Sequence, residues 1–168
     1  AENSAAARIS WPLPSPPPLA DFPVLASPGP VPPGDPESMR PGMRFSCVAE
    51  TVAAEAIGRQ AAEFLEPSTL YAEQGIVHPG WLQRLALRNA HASFAHATPP
   101  IYVSTRGAHF SPARPGETLE VSGAVTRLWE RNGHHYMESE QLIIANSTRA
   151  VMAIHRTTNY QAPQAARG

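Results

Sequence analysis

The chain has 168 residues, with 13 basic side chains against 14 acidic ones and a formal charge of −1. That length fits one domain of ordinary size. A near-neutral chain without a basic cluster lacks the electrostatic footprint of a nucleic-acid or anionic-membrane binder. A single cysteine, Cys47, excludes an internal disulfide framework and a cysteine-rich zinc site, and fits a reducing cytoplasm. All 13 basic residues are arginine, which excludes lysine Schiff-base chemistry and a lysine-bearing phosphate loop. Only two aspartates occur, Asp21 and Asp35, and 12 of the 19 prolines fall at or before Pro41.

Residues 1–40 therefore read as an extended arm. Proline donates no amide hydrogen and pushes its predecessor out of the helical region, so neither helix nor sheet ladder can run through Pro16-Pro17-Pro18 or Pro32-Pro33. Polyproline II is the expected conformation. Ile9, Trp11, Leu13, Leu19, Phe22, Val24 and Leu25 are its apolar anchors, expected to be fixed against the domain or a partner subunit; the alternatives on composition are a disordered tail and a docking site for a proline-recognising domain. The arm has no unbroken apolar run of a secretory signal, and no segment nears the ~20 apolar residues of a membrane span.

From Pro41 to residue 162 the pattern predicts one α+β domain, followed by a short tail at 163–168. Residues 44–51 alternate as a strand. Residues 53–65 carry Ile57, Ala61, Phe64 and Leu65 at helical spacing, and Pro67 stops that helix. A loop runs to Val77. Pro79 suits the first turn of a second helix, where its missing amide hydrogen costs nothing. Leu82, Leu85, Ala86, Ala90 and Phe94 bury much of this helix, and Pro99-Pro100 ends it. Four strands follow, at 101–111, 119–131, 134–145 and 149–160. Asn132-Gly133 is the strongest hairpin signal, because both residues tolerate the positive φ of a type I′ turn. The expected architecture is an antiparallel sheet, its last four strands in meander, wrapped around one central helix. There is no internal repeat.

Most polar candidates in this domain read as structural. His134 and His135 are adjacent on a strand and face opposite sides. His91 and His96 are five apart, which does not place them on one helix face, so no metal site is expected. His109 and His155 read as satisfied sheet residues, and Glu138 and Glu140 as a solvated strand face. Arg106, Arg114, Arg127 and Arg131 read as solubilising, with contact to a ligand phosphate as the alternative. Ser-His-Asp catalysis fails for want of an aspartate and a G-x-S-x-G elbow.

Four stretches appear in a telling order: R-P-G-M-R-F at 40–45, F-L-E-P-S-T-L-Y at 64–71, G-I-V-H-P-G-W-L at 75–82 and S-P-A-R-P-G-E-T-L at 111–119. Together they resemble the MaoC-like acyl-thioester dehydratases and hydratases of the hotdog fold, over about residues 41–162. The resemblance implies a homodimer, or a dimer of dimers, binding a coenzyme A or carrier-protein thioester between subunits. It also implies a backbone amide at the start of the central helix that meets the thioester carbonyl. Helix N-termini offer unpaired amide hydrogens and partial positive charge to such an oxyanion. Here that corner is His78-Pro79-Gly80-Trp81, and the amide of Gly80 or Trp81 is the expected donor.

The family's catalytic aspartate and histidine lie in a D-x-N-P-x-H loop. Laid on this chain the loop reads Glu66-Pro67-Ser68-Thr69-Leu70-Tyr71, so neither member of the pair is retained. A second dehydratase branch of the fold uses the histidine of H-F-P-G with a glutamate on the central helix; His78 is similar to that histidine, but the helix position reads Leu85. The expectation is a cytoplasmic hydro-lyase in which Glu66 is the base and Tyr71 or His78 the acid or orienting group. Ser68, Gly80 and Trp81 then contact substrate, with no metal and no cofactor beyond the thioester. Two alternatives stand beside it: a hotdog subunit without chemistry that serves binding or assembly, and a thioesterase in which Glu66 activates water.

Overall fold

The structure, a computed structural model, describes residues 14–26, 30–47 and 49–161. Ile9, Trp11 and Leu13 of the arm and the tail at 163–168 lie outside the described residues. In chain order the elements are β1 (Glu50–Thr51), α1 (Ala56–Glu63), α2 (Leu70–Gln74), α3 (Pro79–Ser93), β2 (Ile101–His109), β3 (Thr118–Arg131), β4 (His134–Ala145) and β5 (Arg149–Gln161). The strands form one sheet in the order β1-β3-β4-β5-β2, with every pairing antiparallel.

Turn chemistry sets the two hairpins. Asn132 and Gly133 both take positive φ between β3 and β4, and Asn146 and Ser147 do so between β4 and β5. The expected four-strand meander is corrected to three strands. β2 lies against β5, with Ile101 opposite Asn159 and His109 opposite Met152, and not against β3. The segment between β2 and β3 contains Pro112 and Pro115 and is too long for a tight hairpin. The Phe110 amide donates to the Val151 carbonyl, and Ser111 Oγ donates to the Ala150 carbonyl. These bonds carry the chain past the start of β5. Alternation says which face a residue takes, not which strand lies beside it.

The strand expected over 44–51 shrinks to β1. Arg44 bridges Ala124 and the Phe45 amide donates to the Gly123 carbonyl. Then the Ser46 amide turns to Ser93 Oγ on α3, and the Cys47 amide to the Leu25 carbonyl of the arm. Partners on opposite sides break the ladder. The loop expected at 66–77 contains the short α2, ended by Gly75 in the left-handed region.

α3 packs on the inner face of the sheet. Trp81, Leu82, Leu85 and Ala86 meet Val121, Ile143 and Ile154. Further along, Ala90 and Phe94 meet Phe45, Val125, Met137 and Tyr160, together with Met39. The outer face also carries apolar residues, Leu142, Ile144 and Ala153, and the arm covers them: Leu19 and Phe22 pack there. Ser122 Oγ donates to the Pro23 carbonyl beside them. Left open, such a patch would invite association. The described arm is fixed against the domain, closing a face that the strands alone leave apolar.

Candidate active site

The site lies at the N-terminal end of α3. His78 is the N-cap, with extended backbone, and its Nδ1 accepts a hydrogen bond from the Gly80 amide at 3.0 Å. Because Nδ1 is the acceptor, the ring proton belongs on Nε2. Nε2 faces Glu66 Oε2 across 3.8 Å. Phe64 lies flat on the imidazole, ring centroids 4.8 Å apart, and Tyr71 meets it edge-on at 4.6 Å. Between these rings His78 is only 9% exposed.

Local backbone chemistry delivers Glu66 to this place. α1 ends with the Leu65 amide donating to the Ala62 carbonyl and the Glu66 amide to the Ala61 carbonyl. That is the bond pair of a Schellman cap, and it requires a left-handed residue at position 65. Leu65 fills it at φ 53°, 89% exposed. A leucine there costs roughly 1–2 kcal/mol that a glycine would not. The reversal turns Phe64 and Glu66 back over the helix entrance. Glu66 Oε1 then accepts from the Ser68 amide at 2.9 Å, and Ser68 Oγ accepts from the Leu70 amide at 3.2 Å. Arg84 pins the cover: its guanidinium sits 5.4 Å above the Phe64 ring and pairs with Glu63 at 2.7 Å.

The structure thus brings Glu66, Tyr71, His78 and Gly80 together. Ser68 stands apart from the imidazole, in hydrogen bonds local to its own loop. Trp81 is buried in the core, and its amide donates to the His78 carbonyl at 2.9 Å. Both amides expected to meet an oxyanion are therefore engaged, Gly80 by an imidazole and Trp81 by a carbonyl. For a thioester carbonyl to reach the Gly80 amide, the imidazole must first turn away.

Phe64 escaped the sequence reading as a site residue, because a phenylalanine at helical spacing reads as core. The signal was Gly80 itself: a Cβ there would lie 2.9 Å from two Phe64 ring atoms. Arg156 was missed as well. It is buried on the inner face, its Nη1 donating to Gln141 Oε1 at 3.2 Å and its guanidinium 5.3 Å over the Tyr102 ring. Among the described residues no three His, Cys, Asp or Glu side chains are placed to hold one metal ion, and no helix is long and apolar enough to cross a membrane.

This architecture, an antiparallel sheet curled around a central helix, is the hotdog fold. It is the fold of MaoC-like dehydratases and R-hydratases. A MaoC-like dehydratase from Rhodospirillum rubrum superposes with a TM-score of 0.63 at 18% identity, covering 74% of this chain and 95% of its own. The R-hydratase PhaJ1 from Pseudomonas aeruginosa gives 0.62 at 13% identity, covering 77% and 85%. The HadBC 3R-hydroxyacyl-ACP dehydratase complex from Mycobacterium tuberculosis gives 0.56 at 16% identity, covering 71% and 98%. No family model matches the sequence, and no curated protein matches it.

Proposed function

We propose that the chain is a hydro-lyase acting on acyl thioesters, adding water to a 2-enoyl thioester or removing it from a 3-hydroxyacyl thioester. The observation that carries this reading is the Glu66 carboxylate facing His78 Nε2 at 3.8 Å beside the Gly80 amide. In hydration, the imidazole turns off Gly80 and frees that amide for the thioester carbonyl, where charge develops. Glu66 takes a proton from water as its oxygen bonds to C3. His78 Nε2 gives its proton to C2. Proton return from Glu66 to His78 resets the pair. Tyr71 meets the imidazole edge-on. Dehydration runs the same steps backwards. The thioester is carried by coenzyme A or a carrier protein, and no metal or other cofactor takes part.

The active form is a homodimer or dimer of dimers, in the cytoplasm. In support, among the described residues β2 is an edge strand with Ile101 62% and Val103 56% exposed, a surface suited to pairing with a second copy. The structural neighbour HadBC is itself a complex.

A second reading, an assembly subunit without chemistry, is favoured by one observation: His78 and Phe64 close the helix entrance that a thioester would use. Incubation with a panel of 2-enoyl and 3-hydroxyacyl thioesters, followed by product mass, decides between them. Gain or loss of one water supports the hydro-lyase, free thiol without that change supports a thioesterase, and no turnover across the panel supports the assembly subunit.

A further inference from the structure

His78, as it caps α3, is one proton short of the state that the proposed chemistry needs. Its Nδ1 accepts from the Gly80 amide at 3.0 Å, so the ring carries its only proton on Nε2. Giving that proton to C2 would leave an imidazolate, far too basic to form beside a carboxylate. The donor must therefore be the imidazolium, which bears a proton on both nitrogens. Its Nδ1–H would then face the Gly80 N–H, donor against donor, and the capping bond cannot survive.

We propose that His78 is a proton-operated gate: one proton taken up at Nδ1 breaks the cap, uncovers the Gly80 amide and makes the imidazole an acid. The inference rests on the hydro-lyase reading above and adds its control. Glu66 receives the new charge. Its Oε1 is anchored by the Ser68 amide at 2.9 Å, while Oε2 faces Nε2 across 3.8 Å, beyond hydrogen-bond length. An imidazolium–carboxylate bond closes to about 2.8 Å, a travel of about 1 Å that draws ring and carboxylate together. The ring is nearly buried, and Glu66, with 28% of its side chain exposed, gives the proton its path from solvent. Among the described residues, the other charged or titratable groups around the ring are Tyr71 at its edge and Arg84 behind Phe64, paired with Glu63. Glu73 bonds to Thr69 and Arg114 to the Gln74 carbonyl, so both are engaged on α2. The helix dipole favours the closed, neutral ring and Glu66 the open, charged one.

Hydration balances only in the open state. The water oxygen bonds to C3 and Glu66 takes one water proton. The π pair of the double bond moves through C2 onto the thioester oxygen at Gly80, then returns as C2 takes the Nε2 proton. That leaves the ring neutral with Nδ1–H, and protonated Glu66 hands its proton back to Nε2. Nδ1 keeps its proton throughout, so the Gly80 amide stays free from one turnover to the next. Dehydration starts from the same proton count, with Glu66 protonated and Nε2 bare. Both directions need one proton more than the capped pair holds.

The test uses the full chain, ¹⁵N-labelled and without substrate, taken from pH 8 to pH 5. The His78 Nδ1 resonance should move from that of a bare ring nitrogen to that of a protonated one. The Gly80 amide should shift, and exchange faster with water, at the same midpoint. Glu66→Gln should lower both midpoints together, by about one pH unit, since the carboxylate that favours the cation is gone. His78→Asn keeps a side-chain oxygen at the N-cap, so its Gly80 amide should ignore pH over this range. It also serves if Glu66→Gln fails to fold. A Gly80 amide that stays protected while Nδ1 takes its proton overturns the proposal, as does an Nδ1 still bare at pH 5. With 2-enoyl thioesters, kcat/KM for hydration should rise about tenfold per pH unit as pH falls toward that midpoint. A hydration rate that is flat across the midpoint also overturns it. If imidazole and amide change together yet no thioester turns over, the hydro-lyase reading falls and the gate stands.

Discussion

The two ends of α3 each hold an imidazole among aromatic rings, and they differ in the charge beside it. At the N-terminal end His78 lies between Phe64 and Tyr71 and faces the Glu66 carboxylate. In the last turn His91 bonds through Nε2 to the Tyr102 hydroxyl. Arg156 lies over the same Tyr102 ring, with no carboxylate within ion-pair reach among the described residues. The helix dipole alone would favour a cation at His91 and disfavour one at His78, by about 0.3–1 kcal/mol. At His91 the neighbours outweigh the helix. Partial burial first, and then the Arg156 charge, hold the His91 imidazole below its usual range. The proton transfer proposed above belongs to the end with the carboxylate, and the end with the guanidinium has no part in it.

The largest expected effect tests that division directly. Glu66→Gln and His78→Gln should each lower kcat by about 10²–10⁴, the span of general acid–base catalysis, with the circular dichroism spectrum unchanged. His91→Gln should leave kcat within about threefold, as substitutions away from such features do. Equal losses at both ends would break the comparison. Next in size is the cover over the active end. Gly80→Ala places a Cβ 2.9 Å from the Phe64 ring and 3.0 Å from His78 Nδ1. Overpacking of that kind costs about 1–3 kcal/mol. In a Phe64→Ala background most of that cost should vanish, so a double-mutant cycle read by denaturant unfolding measures how firmly Phe64 seals the entrance. An additive cycle would mean that Phe64 does not touch Gly80 in solution.

Parts of both ends could be read in the sequence, for reasons that differ residue by residue. Asn132-Gly133 and Pro79 act through their own backbone limits, so the hairpin and the helix start they mark are local facts. Pro99-Pro100 does not end α3, which stops at Ser93, where Phe94 turns extended and the Ala95 amide bonds to the Pro32 carbonyl of the arm. The partner of β2 is not local; it depends on where the Pro112–Pro115 segment crosses the end of the sheet. The true end of α1 hides because Leu65, not glycine, takes the left-handed position, so the apolar spacing seems to run on. Glu66, Tyr71 and His78 could be singled out because they fall in stretches that resemble a known family. Phe64 could not, since only the reversal at Leu65 turns it onto His78. Arg156 carried a faint signal: it alternates with Ile154 and Thr158, which puts a charge on the buried face.

The smallest effect is the most specific to the guanidinium end. Burial holds the His96 imidazole below its usual range, only partly offset by its contact with the Gly34 carbonyl, and His91 is held low as well. In the unfolded chain both titrate near 6.5. As pH falls through that value, the unfolded state takes up protons that the folded state refuses. Stability then falls with pH, since unfolding is favoured wherever the unfolded chain binds more protons. The contribution is fully present above about pH 6.5 and is lost on acidification toward the lower folded-state values. Burial holds the His109 imidazole low as well, so it adds to this window, whereas the two carboxyls held low do not. Ser38 bonding holds the Asp35 carboxyl low. For Glu117 burial pushes upward, but bonding from Arg149 and the Arg114 amide, with the charge of both arginines, outweighs it. Both carboxyls therefore titrate below the ordinary range, at more acid pH than the imidazoles. Denaturant midpoints measured from pH 7.5 to pH 5 should fall in wild type, and fall less in a His91→Gln/His96→Gln double variant. A double variant whose midpoint falls as steeply as wild type would show that the imidazoles at this end do not resist protonation, and the contrast between the two ends of α3 would lose its electrostatic basis.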